Sequence, residues 1–309
     1  MRYRPLGRSG SAISAVTLTL DERLTLRGPE AGRDLVYAAL EQGVNAFHMA
    51  SPDPVVAELL GQALSSVDRR LVVVSCALGE VRERGKAMRD FSAPALTGCI
   101  DRVLAVSGLG QLDMAVLNDP SEVELAQTTL EALKAQRAAG RVAMLGVMGE
   151  SPAMDAYVST GAFDVLFTPL HVNSSWRIKH RMRMALERDM AVLAYGWYPE
   201  ELRPVKKGAP AAPTKRGLFG LGAKAQPVEP EQDFGPFAFL HRTNGWSAED
   251  LCLAYALTEP AVSSALATAD DAARIEAMAA VPEREIPPAV PAQIEMARVM
   301  AGQPKAASA

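Results

Sequence analysis

The stretch Glu41–Pro54, EQGVNAFHMASPDP, decides how the chain is read. An amphipathic helix ends at Gly43, a short apolar strand covers Val44–Phe47, and a loop opens at His48. In a barrel of alternating strands and helices, residues just past a strand's C-terminal end form the mouth of the active site. His48 is therefore the first candidate site residue, with Asp53 a few positions on.

Working outward, the same alternation repeats in both directions. Residues 2–14, RYRPLGRSGSAIS, read as a β-hairpin turning at GRSG, where glycine supplies the positive φ of a tight turn. Ala15–Leu20 reads as a strand, and Pro29–Gln42 as a helix with Leu35, Val36, Ala39 and Leu40 on one face. Pro54–Leu64 is helical, and Arg70–Leu78 is a continuous apolar strand of the kind covered on both faces by helices. Ser92–Val106 follows as a helix with Ser92 as N-cap. Leu112–Leu117, Val142–Val147, Phe163–Phe167, Ala191–Tyr195 and Val262–Ala267 read as strands. The helices between and after them are Ser121–Ala139, Ser151–Thr160, Ser174–Arg188, Ser247–Thr258 and Asp270–Ala280. Eight strand–helix units, with no Gly-x-Gly-x-x-Gly turn in the first, predict an α/β fold. The expected form is a closed (β/α)8 TIM barrel over residues 1–309, with an N-terminal β-hairpin and a long insertion after strand 7.

That insertion, residues 199–236, is rich in Pro, Ala, Gly and Lys and lacks periodicity. Between Leu202 and Val228 its only charges are basic: Arg203, Lys206, Lys207, Lys215, Arg216 and Lys224. Residues 285–309 form a C-terminal extension with a short helix near Ala292–Met300.

Bulk properties narrow the function classes. A net charge of −4 gives no reason to expect nucleic acid as a partner. No apolar run approaches the roughly 18 residues of a membrane span, and MRYRPLGRSG has no signal-peptide core. Cys76, Cys99 and Cys252 are odd in number and lie in apolar segments, so they read as reduced buried thiols of a cytoplasmic protein. Metal-ligand spacing is absent.

The chain resembles the aldo-keto reductases over nearly its whole length. RYRPLGRSGSAIS, ALEQGVNAFHMA, ELLGQAL, LDMAVLNDP, LEALKAQRAAGRVAMLGVMG, FDVLF, MAVLAYGW and LAYALTEPAVSSALAT occur in the family's order. The resemblance implies an NADPH hydride donor and a carbonyl substrate. It also implies a Tyr general acid tuned by a Lys paired with an Asp, and a His that orients the carbonyl. Carried over by position, the Asp falls at His48, the Tyr at Asp53, the Lys at Ala77 and the His at Asn118. The Ser-Asn pair that holds the nicotinamide amide falls at Met148-Gly149, and a Gln at Phe167. The stacking aromatic is kept as Tyr195, and Arg274 matches a basic residue that holds the adenosine phosphate in many members.

The expectation is a catalytically degenerate barrel with a binding, regulatory or scaffolding role, in which NADP binds weakly or not at all. The alternatives are an NADP-dependent oxidoreductase with a rewired site, a non-redox enzyme using His48 and Asp53, and a nicotinamide-nucleotide sensor. His48, Asp53, Asn118, Asp119 and His171 are all expected on the C-terminal face. A His with two carboxylates there suits general acid–base work or a bound metal, although polar residues at a barrel mouth are also ordinarily just solvated. In the insertion, KRGLFGLGAKA places Leu218, Phe219 and Leu221 among cations, a pattern that suits docking to an acidic protein surface or anionic lipid.

Overall fold

The computed structural model describes residues 1–83, 86–204 and 234–301. In chain order the elements begin with an antiparallel hairpin, β1 (Tyr3–Pro5) and β2 (Ala12–Ser14). Next come β3 (Val16–Leu20), α1 (Pro29–Glu41), β4 (Ala46–Met49), α2 (Pro54–Leu64) and β5 (Val73–Leu78). A two-stranded excursion, β6 (Glu80–Glu83) and β7 (Lys86–Arg89), precedes α3 (Ala93–Ser107). The chain goes on through β8 (Leu112–Asn118), α4 (Gln127–Ala138), β9 (Val142–Met148), α5 (Ala153–Thr160), β10 (Val165–Pro169) and α6 (Trp176–Glu187). It finishes with β11 (Ala191–Tyr195), α7 (Ala248–Thr258), β12 (Val262–Ala267), α8 (Ala272–Ala280) and α9 (Ala289–Ala301).

Eight of these strands, all parallel, close into a barrel in which β12 pairs with β3. Strand side chains alternate between two faces, so the barrel carries two cores. Inward positions such as Val73, Met114, Val116, Phe167 and Leu193 fill the interior, and a larger cluster lies between strands and helices. Leu6 and Ile13, on the hairpin's connection and second strand, join the interior cluster and are fully buried. Arg4 fixes the hairpin to the barrel's lower rim by donating to the carbonyls of Val262 and Leu257, each at 2.6 Å.

The barrel and hairpin agree with the sequence reading, and several boundaries move. β4 runs through Met49, so His48 lies within the strand and not in a loop; pairing with both β3 and β5 carries the strand on. α4 starts at Gln127 and not at Ser121. The Glu124 carboxylate accepts from the Ser121 amide and hydroxyl at 2.9 and 2.8 Å, which holds a local turn in competition with the helix. A short 3-10 turn, Arg69–Leu71, capped by Asp68, replaces the first residues of the expected third strand. Ser92 caps α3 as expected. All three cysteines are free and buried. In the insertion, 3-10 turns cover Glu200–Leu202 and Gly235–His241, and residues 205–233 lie outside the described residues. The docking reading of KRGLFGLGAKA falls there.

Candidate functional site

The C-terminal ends of the barrel strands open into a cleft of about 740 Å³. Its floor is formed by Thr19, His48, Ala77, Asn118, Met148 and Tyr195, from β3, β4, β5, β8, β9 and β11. Trp197, Tyr198 and Leu266 form one wall, and the far end is charged.

His48 is 2% exposed. Its Nδ1 lies 2.8 Å from the Ser75 hydroxyl, and its ring packs 5.2 Å from Phe167 at a 39° tilt. Burial pushes the imidazole down to about 4, so it is neutral at physiological pH. Its Nε2 has no hydrogen-bond partner among the described residues. Burial also pushes the Tyr195 phenol up, with Glu150 and Asp119 adding to the effect. Neither group is set to release a proton at neutral pH.

Not every expected residue reaches this floor. Asp53 does not line the cleft: its carboxylate caps α2, accepting from the Val55 and Val56 amides at 2.8 and 3.1 Å. His171 holds its own loop, with Nδ1 accepting from the Asn173 amide at 3.1 Å. Asp119 takes a positive φ of 50° and accepts weakly from the Ser151 amide at 3.4 Å. Among the described residues no group of three His, Cys, Asp or Glu side chains is arranged to hold a metal.

Arg274 lies in the charged end of the cleft, where its guanidinium pairs with Glu249 at 2.6 Å and Asp250 at 3.4 Å. Arg23 is bound to Asp21 through two 3.0 Å contacts from Nε. Asp270 and Asp271 line the same end, and Asp271 caps α8 by accepting from the Arg274 amide at 2.8 Å. This acidic pair was not singled out from the sequence, although two aspartates directly before a helix are a readable cap signal.

The sequence profile of the aldo/keto reductase family matches residues 26–298. The chain belongs to that family. Among solved structures, this family member is similar to an aldo-keto reductase from Bacillus halodurans in its holo form. The identity is 17%, each chain is covered over 96%, and the TM-score is 0.77. It is also similar to the glycerol dehydrogenase of Gluconobacter oxydans, at 20% identity, coverage of 99% of this chain and 98% of that one, and a TM-score of 0.74. At these identities the likeness shows the fold. The comparison with curated proteins gives no significant match.

The family generally binds NADP(H). This family member keeps an aromatic at Tyr195 and a cation at Arg274, both in the cleft. The rest of the arrangement fits that cofactor poorly. The cation is already paired with Glu249 and Asp250, and further carboxylates flank it.

Proposed function

We propose that this aldo/keto reductase family member does not reduce carbonyls and serves as a ligand-binding protein with a regulatory or scaffolding role. The observation that carries the reading is the cleft floor. Delivering hydride to a carbonyl carbon requires a proton for its oxygen, and the residues that line the floor are a neutral His48, Ala77, Asn118 and an up-shifted Tyr195. The cleft itself is large enough for a small molecule. A protein partner reached through the basic 199–236 insertion is part of the same proposal, as is a cytoplasmic location. The buried free cysteines support a reducing compartment.

The test is a panel of aldehydes and ketones with NADPH and NADH, alongside a thermal-shift titration of the same nucleotides. No nucleotide oxidation above background is expected; measurable carbonyl reduction overturns the proposal. A ligand of the folded state present at about 100 times its Kd adds about 2.7 kcal/mol, a shift of a few degrees.

A second reading has one observation in its favour: the unpartnered Nε2 of His48 in the cleft. In a rewired enzyme this nitrogen is the acid–base group, acting without Asp53. His48→Ala would then abolish an activity while leaving the thermal transition in place.

A further inference from the structure

At the charged end of the cleft, Arg274 and Arg23 are already paired with carboxylates of the same chain. Arg274 is held by Glu249 and Asp250, and Arg23 by Asp21. Arg27 donates to the Asp270 carbonyl at 2.7 Å, and Arg203 donates to the Tyr198 carbonyl at 3.0 Å. Asp270 and Asp271 line the same space. A carboxylate already caps α8, so the backbone amides that would attract an anion at that helix start are partly spent. An entering phosphate must therefore compete with existing ion pairs and approach the acidic side chains of Asp270 and Asp271.

We propose that Glu249, Asp270 and Asp271 act as specificity residues that turn the cleft against phosphate-rich ligands, so that it takes molecules with fewer phosphate groups. In nicotinamide nucleotides this means that the extra 2′-phosphate of NADPH is a penalty and not an anchor. The inference rests on the cleft being the ligand site of the proposed function.

The experiment uses the full chain and follows Trp197 fluorescence during titration with NADPH and NADH. Trp197 lines the cleft and is fixed by its indole N–H, which donates to the Leu266 carbonyl at 2.7 Å. Wild type is compared with Glu249→Gln, Asp270→Asn and the double variant; Asp271 is left in place because it caps α8. Wild type should bind NADH at least as tightly as NADPH. NADPH affinity should rise between about 0.01 and 0.15 M salt, as the screening length falls from about 30 to about 8 Å. In the double variant, NADPH affinity should rise about tenfold, with a smaller gain for NADH.

NADPH binding that is tighter than NADH binding in wild type and weakens with salt overturns the proposal. If wild type binds neither nucleotide, the double variant decides: NADPH binding there supports the proposal, and its absence in every variant overturns it. Circular dichroism of each variant confirms the fold, and Asp270→Asn alone suffices if the double variant is unstable. Carbonyl reduction by wild type would end the functional reading above while leaving this comparison of the two nucleotides readable.

Discussion

His48 shows how a single residue can be located from sequence and still be misjudged. A His at that point of the β/α alternation marks the barrel mouth, but whether it ends a strand or sits inside one depends on how far β3 and β5 keep pairing. That is a long-range fact with no local signal. Its burial has a consequence for stability. The unfolded chain's imidazole titrates near 6.5, whereas the folded one resists protonation down to about 4. Between these values the unfolded state holds the extra proton, so stability is full above about 6.5 and falls as pH drops. The loss approaches roughly 3 kcal/mol at the acid end. A profile of Tm against pH should be steeper in wild type than in His48→Asn over that window; parallel profiles would remove His48 as the cause. Asp53 carried a signal that pointed elsewhere. An Asp directly before Pro54 at a helix start is an N-cap pattern, and the structure uses it as one. Asp53→Ala should cost about 1 kcal/mol in chemical denaturation and leave nucleotide binding unchanged.

At the scale of elements, α6 reads from its periodicity as an exposed basic helix with Ile178, Met182 and Ala185 inward. Met182 and Ala185 are buried and Ile178 is partly so, yet Arg181 is buried with them at 2% exposure. Its guanidinium pairs with Asp155 at 2.6 Å and donates to the Ser151 carbonyl at 2.9 Å, fastening the loop that follows β9. Nothing near position 181 in the sequence announces these acceptors, because they arrive from another β/α unit. Arg181→Met leaves the loop carbonyls without their buried donor and Asp155 with Arg177 alone, and should destabilise by about 1–3 kcal/mol. Arg177→Met, which removes a solvent-exposed partner of the same Asp155, should cost at most about 1 kcal/mol. Equal effects in urea titrations would contradict the distinction. A tighter constraint joins α2 to α3 at Gly61, where an added Cβ would run into the Ser107 carbonyl. Gly61→Ala, favourable for an isolated helix, should instead destabilise by roughly 1–3 kcal/mol through overpacking.

For the whole molecule, the closed barrel was legible because strand and helix periods alternate through the chain, a pattern that tolerates errors of several residues at each boundary. The excursion β6–β7 and the 3-10 segments were not legible, since short irregular pieces have no period to detect. The C-terminal extension has a definite task. α9 buries Val290, Ile294 and Ala297, and packs against residues 235–241, where the chain returns from the insertion. Glu295 ties α9 to the barrel, accepting from the Tyr255 hydroxyl at 2.7 Å and from Lys179 at 3.0 Å. Deleting residues 289–309 should speed amide hydrogen exchange in residues 234–241 and leave β3–β5 protected; unchanged exchange there would contradict the role given to α9.

The pairing of β3 with β12 bears on how this protein is made. Val16 finds its partner Ala265 only after the other barrel strands have been made. At roughly 5–20 residues per second on the ribosome, β3 waits on the order of ten seconds or more with one edge open. Throughout that time the growing sheet presents unpaired backbone to any neighbouring strand, a known route to aggregation. Expression yield should therefore depend on translation speed and chaperone supply more than the finished barrel's stability would suggest.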